Sequence, residues 1–478
     1  MLNNSAKNLC IFRIVDGLCE GLSHFSGTSR AALIYAEAPD DPVRVYDPQN
    51  LLEGHEPKLK ELYLSTNEWR RDAPDPEDLK SLRHIYPEKN LHLAGLISYG
   101  GRTHSIFYQM WFTEHHPDMC SIGPTERWLE HAACLLSHDF ANEDALYLGS
   151  ARYVIREYRT HAVRDHIRDE MNFMFGWDTK MEVYPILDAI LGVSKTPEEG
   201  AWPRGKLVFV EPSDLSILNF LVRFPPFDRP SIKNFKHVRK LLIASEESDR
   251  VLVSDGKTAV GIAVGQLPLC RISAEFGGGH GFLRLAGKLV CSFSDGSFNS
   301  STREPKLVAL EEALIEARLD QSATHALFKI TSQIVRQARE LKYGCTVILD
   351  LNDEPLETSG QKLEEPIDLQ QEHLFDLAKS LAKVDGALHI RADLRLHSFA
   401  CLLDGRAIPG EDRSRGARFN SALRFTAQHP NLIVVVLSSD KRVSVIQGGL
   451  ELTSLCEWKS FSEFVTPPPT MEEWLQKQ

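Results

Sequence analysis

Two apolar runs constrain this chain more than any other feature: Cys345-Thr346-Val347-Ile348-Leu349 and Leu432-Ile433-Val434-Val435-Val436-Leu437. Each is rich in β-branched residues and lacks polar alternation. Both fall far short of the roughly 20 residues a membrane-spanning helix needs. Runs of this kind are strands buried on both faces, and that requires a sheet covered by helices on each side.

The segments around them supply the helices. Leu327, Ile330, Ile334, Ala338 and Leu341 share one helical face that stops at Gly344. Leu374, Leu377, Ala378 and Leu381 mark a second helix, and Arg418 to Gln428 a third that ends before Pro430. Gly386 to Ile390 reads as a further strand, and Arg442 to Ile446 pairs with the second apolar run across Ser439-Asp440-Lys441. The expected fold class is therefore α/β (mixed α+β), with a mixed central sheet flanked by helices over residues 325–455.

Upstream the pattern changes. Loops are expected at Asp72 to Asp78, at Thr196 to Gly205 and from Ser294 to Glu304. Residues 1–200 mix helix and strand. Gly123-Pro124-Thr125-Glu126 opens a helix with Trp128, Leu129, Ala132, Leu135 and Leu136 on one face, and His161 to Met174 forms another. Residues 201–302 are β-rich, with strands at Leu207 to Val210, Arg250 to Ser254, Thr258 to Val264 and Leu289 to Phe293. Asp255-Gly256 is a hairpin signal between two of these strands. Residues 303–324 read as a helical connector with Leu307, Leu310, Leu314 and Ala317 on one face. Residues 456–478, with Pro467-Pro468-Pro469, read as a tail or cap.

Length and charge narrow the function classes. A chain of 478 residues holds more than one core. Its net charge of −12 argues against a uniformly basic, DNA-coating surface, though not against a local basic pocket, so nucleic acid is not expected as partner; with apolar runs too short to span a bilayer, neither is a membrane. The nine scattered cysteines include no C-x-x-C pair, which fits reduced thiols in a cytoplasmic protein and disfavours a zinc site.

Three constellations in the last domain carry chemistry. Asp385-Gly386-Ala387 opens a strand: a carboxylate at a sheet end holds a divalent cation or orients a hydroxyl, and the glycine admits a ligand to the backbone, although Asp-Gly is also a common turn. Arg413-Ser414-Arg415-Gly416-Ala417-Arg418-Phe419-Asn420-Ser421 runs into a helix start, where free N–H groups and arginines suit a phosphate; the plain alternative is a helix N-terminus with solvated arginines. Asp440 follows the second apolar run, as a hairpin residue or a second metal carboxylate.

In this order the motifs resemble the diadenylate cyclase domain. That family has Asp-Gly-Ala, then Gly-Thr-Arg-His-Arg-Ala-Ala, a glycine-led first strand like Gly344-Cys345-Thr346-Val347-Ile348, and an acidic hairpin where this chain has Ser438-Ser439-Asp440. The resemblance implies condensation of two ATP into cyclic di-AMP and two pyrophosphates by domains meeting face to face, with Mg²⁺ or Mn²⁺. Asp385 and Arg418 would be catalytic, and Asp385 and Asp440 would hold metal. Gly386, Ala387, Gly416, Ala417, Phe419, Asn420 and Ser421 would line the ATP site, with phosphate support from Arg415 and Arg424. The family's Arg-His-Arg reads Arg418-Phe419-Asn420 here, which replaces one phosphate-pairing cation by an amide. The resemblance therefore implies an active cyclase with an upstream sensor region for an unknown ligand or protein, or a degenerate nucleotide-binding module; a scaffold that keeps only the fold is the third class.

Outside that domain, Phe276-Gly277-Gly278-Gly279-His280-Gly281 resembles a phosphate loop superficially. No following helix or lysine supports that, and a flexible hairpin loop is expected. His115-His116-Pro117-Asp118 is expected to be a surface loop, and His131 and His138 core or half-exposed histidines.

Overall fold

Residues Ala31–Ala36 are buried on both faces, and their strand is the second in a five-stranded antiparallel sheet. In a computed structural model the described residues are 2–27, 29–71, 85–116, 118–141, 150–176, 181–197, 201–246, 249–302, 307–317, 319–341, 343–352, 354, 356–408, 416–437, 443–452 and 467–477. The first sheet contains β1 (Ala31–Ala36), β2 (Arg44–Tyr46), β3 (Tyr86–Glu88), β4 (Leu96–Arg102) and β5 (Tyr108–Glu114), in the order β2-β1-β5-β4-β3. Alternation of side chains sends Ala31, Leu33 and Tyr35 to one face, beneath α1 (Leu2–Ser26) and α2 (Ile122–Ala141). Ala32, Ile34 and Ala36 face a second cluster built on Leu59, Tyr63 and Trp69.

After α3 (Arg159–Phe175) and α4 (Val183–Ser194) comes an eight-stranded sheet. Its strands are β6 (Arg204–Val210), β7 (Asn219–Arg223), β8 (Val251–Ser254), β9 (Ala259–Val264), β10 (Arg271–Gly277), β11 (His280–Leu285), β12 (Lys288–Ser294) and β13 (Ser297–Asn299). One continuous core joins Ile186, Ile190 and Val193 of α4, Phe209 and Phe293 of this sheet, and the α1–α2 face of the first. The expected Asp255-Gly256 turn joins β8 to β9. The glycine run, expected as a flexible hairpin loop, connects the antiparallel strands β10 and β11. Phe276 pairs with Gly281 across β10 and β11, so backbone hydrogen bonds hold both sides of the turn.

The connector forms α5 (Val308–Glu316) and leads into α6 (Gln321–Glu340), the first helix of the last domain. Asp320 caps α6, its side chain accepting from Ser322 N at 2.8 Å and Ala323 N at 3.3 Å. The third sheet comprises β14 (Cys345–Asp350), β15 (Ser359–Asp368), β16 (Ala387–Arg391), β17 (Arg395–Leu402), β18 (Leu432–Leu437), β19 (Val443–Gln447) and β20 (Leu450–Glu451). Its order is β15-β17-β16-β14-β18-β19-β20; β14 and β16 run parallel and every other pair antiparallel, a mixed sheet. The two apolar runs are adjacent central strands, with Val347 opposite Val435. On one face Val347, Leu349 and Val435 pack under α5, α6 and α7 (Glu372–Leu381); on the other, Ile348, Val434 and Val436 meet α8 (Ala417–Gln428).

One element differs from the sequence reading. β15 is a polar, exposed edge strand held by backbone pairing to β17, so no apolar period announces it. At the C-terminal end α9 (Met471–Lys477) buries Met471 and Trp474 in the cluster with Leu59 and Tyr63 of the first sheet's outer face. Val45 N donates to Pro469 O at 2.9 Å, and Arg44 Nη1 to Pro468 O at 2.7 Å. Among the described residues no helix is long and apolar enough to cross a membrane.

Candidate functional site

Asp385 stands at the end of the third sheet because α7 stops at Leu381 and a short turn leads into β16. Gly386 has φ +111, and a Cβ placed there would lie 2.5 Å from the Ala400 carbonyl carbon, so glycine alone fits. Ala400, in β17, itself has φ +52, an uncommon value for a residue with a Cβ. Backbone strain thus concentrates where the Asp385 carboxylate is presented to solvent.

Opposite it, Gly416 caps α8 with φ +83 and ψ +163, a conformation largely restricted to glycine. Arg418 lies in the first turn. Its Nη2 donates to Asp385 Oδ1 at 3.0 Å, and its guanidinium rests against Gly344, where a Cβ would come within 2.6 Å of Nη1. Gly344 leads into β14, whose first residue, Cys345, pairs with Leu437 of β18. Four separate stretches of chain therefore meet at this corner of the sheet. The Asp385 side chain is 92% exposed and that of Arg418 41%, so both remain accessible to an incoming ligand.

The other candidate residues divide. Ala387 begins β16 inside the core, and Phe419 packs there with Ile348, Ala387 and Phe425. Phe419 is therefore a packing residue, not part of an open nucleotide surface: helical periodicity places it on the sheet-facing side of α8. Asn420 is also buried, and its Oδ1 accepts no hydrogen bond among the described residues. Ser421 is half-buried. Arg424 lies against the 402–408 segment, where a Cβ on Gly405 would touch its backbone. Arg413, Arg415 and Asp440 lie outside the described residues. Among those described, no three His, Cys, Asp or Glu side chains gather to hold a metal ion. The donor offered to a cation at this corner is the Asp385 carboxylate, an oxygen ligand suited to Mg²⁺ or Mn²⁺ when phosphate oxygens complete the shell.

Toward the opposite end of the same strands lies a polar network that the sequence reading did not find. Asp350 at the end of β14 is fully buried and sits 3.1 Å from His389 Nε2 in β16. His389 Nδ1 is 3.3 Å from Ser398 Oγ in β17, and Thr358 Oγ1 is 3.1 Å from the same hydroxyl. Asp350 also accepts from the backbone N–H groups of Asn352 and Leu356, both at 3.0 Å. Burial alone would raise the Asp350 pKa, but these donors outweigh it and hold the carboxyl below the usual carboxylate range. The network crosses three neighbouring strands, β14, β16 and β17, and ties them together by side-chain hydrogen bonds. The one available signal was a polar residue inside each of two otherwise apolar strands.

Two histidines outside the domain tie elements together. His131 stacks on Tyr158 at 3.9 Å, and burial lowers its pKa to about 4. His116 approaches Ser29 Oγ at 3.2 Å and Glu312 of α5 at 3.7 Å, tying the first sheet's margin to the connector.

Comparison with known proteins gives three family matches: "Probable sensor domain DACND" over residues 5–177, "Probable sensor domain DACNH" over 184–291, and "DisA bacterial checkpoint controller nucleotide-binding" (DAC) over 333–450. Among solved structures, a hypothetical membrane spanning protein from Bacillus cereus is 17% identical, with 30% of this chain and 70% of that one covered and a TM-score of 0.25. DacA from Staphylococcus aureus is 15% identical over 35% and 93% of the two chains, with a TM-score of 0.20. No curated protein matches. Likenesses this distant leave the family models as the ground for assignment.

Proposed function

We propose that this chain, which carries a DAC nucleotide-binding domain at residues 333–450 behind two probable sensor domains, is a diadenylate cyclase governed by its N-terminal region. The observation that supports this most directly is the meeting of Asp385 and Arg418 at 3.0 Å on one exposed corner of the DAC sheet. A nucleophile-orienting carboxylate and a phosphate-pairing guanidinium are the two groups such a reaction requires side by side.

In the proposed reaction the 3′-oxygen of one ATP attacks the α-phosphorus of the other. A P–O bond forms, the bond to the β-phosphate bridging oxygen breaks, and pyrophosphate leaves; the reciprocal attack closes the ring. Asp385 orients the 3′-hydroxyl and accepts its proton. Arg418 leaves its carboxylate partner to pair with the α-phosphate oxygens, where charge builds. The Gly416 turn and the first N–H groups of α8 add phosphate donors. Mg²⁺ or Mn²⁺, held by Asp385 with Asp440, would neutralise phosphate charge. Two domains face each other so that each nucleotide meets the other's nucleophile.

A second reading is favoured by Asn420, which stands where the family has a second arginine: a module that binds ATP or a cyclic nucleotide without turnover. Incubation of the purified chain with ATP and Mn²⁺ or Mg²⁺, with products read by mass spectrometry, decides between them. Cyclic di-AMP that vanishes in Asp385→Asn is the expected result. ATP binding without product under either metal establishes the module instead.

A further inference from the structure

The glycine hairpin between β10 and β11 forms one wall of a cavity of about 690 Å³, and α6 of the DAC side forms the opposite wall. That volume suits a metabolite-sized ligand. Arg204 enters from β6, and Arg336 and Arg339 from α6; Trp202, Phe282 and Phe328 supply aromatic surface. The hairpin tip stands close to the arginines. A Cβ on Gly279 would lie 3.5 Å from Arg339 Nη1, and one on Gly278 3.8 Å from Arg204 Nη2. The carboxylate in the wall, Glu275, is engaged by Arg284 at 3.3 Å. Arg204 lies 3.8 Å from Glu246, and exposed Arg336 has no ion-pair partner among the described residues. The cavity is therefore cationic and aromatic together, in a chain whose net charge is −12.

We infer that this cavity is an effector site for a small organic phosphate with a flat ring, bound jointly by the β-rich sensor sheet and the first helix of the DAC domain. Guanidinium groups pair with phosphate oxygens in a planar fork and stack on rings, and the aromatic residues cover the apolar body. The shared wall gives occupancy a route to the catalytic corner. α6 ends just before Gly344, against which the Arg418 guanidinium rests. A ligand that draws Arg336 and Arg339 inward shifts the last turn of α6 and with it the seat of Arg418. That link to catalysis rests on the cyclase reading; the binding site itself does not.

The test is calorimetric titration of the full chain with 1-naphthyl phosphate, in the absence of ATP. 1-Naphthol and inorganic phosphate serve as arms that lack the charge and the ring. The expected result is saturable binding at least about tenfold tighter than either arm. Arg336→Glu, on an exposed helix position, should weaken it by about tenfold or more, and Arg336→Gln by less. Absence of binding up to about 1 mM, a site insensitive to Arg336→Glu, or loss of binding in Arg418→Ala, which would put the probe in the nucleotide site, overturns the inference. Probe binding in a chain that makes no cyclic di-AMP would instead refute the cyclase reading and leave this site standing.

Discussion

Arg418 Nη2 donates to Asp385 Oδ1 at 3.0 Å, so the two groups assigned opposite roles toward ATP neutralise each other in the free protein. Substrate binding must part them, and the exchange is inexpensive because both side chains face solvent. Asp385→Asn should therefore abolish cyclic di-AMP formation, by at least about a hundredfold, yet leave thermal unfolding nearly unchanged. Arg418→Lys should lower activity almost as far, since an ammonium cannot form the planar fork. Product assay beside a melting curve checks both.

Gly344→Ala separates position from stability at the same corner. The new methyl would come within 2.6 Å of Arg418 Nη1, the far end of a flexible side chain, and 3.0 Å of Leu437 O. The guanidinium is expected to swing away, with activity falling much more than the unfolding temperature. Gly386→Ala should behave in the opposite sense: with φ +111 and a clash against Ala400 backbone, it costs about 1–3 kcal/mol or more in urea denaturation.

The Asp350–His389 pair predicts the acid response of the DAC domain. Native contacts hold the Asp350 pKa below its ordinary value of 3.8, so its stabilising contribution is complete above that pH and is lost as pH falls further. Asp350→Asn weakens the buried hydrogen bonds from His389, Asn352 and Leu356 and should destabilise the domain by about 1–3 kcal/mol at neutral pH. It should also flatten the dependence below pH 4, as chemical denaturation at several pH values would show.

Glu312 acts with the opposite sign. Burial, with Glu114, Glu316 and Glu311 nearby, raises its pKa from 4.5 to about 7. A raised acid stabilises the fold below its unfolded pKa, and the contribution drains away as pH rises toward 7. Stability measured between pH 5 and pH 8 should fall less in Glu312→Gln than in the parent chain.

The C-terminal helix should prove structural. Trp474 is buried against the first sheet's outer cluster, so Trp474→Ala is expected to cost about 3–5 kcal/mol. Ending the chain at residue 466 should lower the unfolding temperature of the N-terminal region, which is farthest from the cut in sequence. Limited proteolysis of the two chains would reveal it.

Much of the last domain was legible because its signals are local. A run such as Leu432 to Leu437 declares a strand covered on both faces, and Gly344, Gly386 and Gly416 mark places where the chain cannot carry a side chain or must adopt a positive φ. Phe419 was less legible. The resemblance put it with Arg418 in the ATP site, but successive helix residues point about 100° apart, and one turned to solvent while the other turned to the core. The strand β15 escaped because backbone pairing, not apolar periodicity, holds it.

The sequence by itself determined the covered central strands, the helices beside them, and the presence of the Asp-Gly-Ala and Gly-x-Arg motifs. Only the tertiary structure decided that Arg418 meets Asp385, that Asp350 is buried against His389, that α9 returns to the first sheet, and that arginines from two domains line one cavity. The physical reason is range. Periodicity and dihedral preference record which face a residue presents, because neighbours along the chain set them. Partnership across a sheet or between domains follows from strand order and register, which emerge only when distant surfaces are buried together.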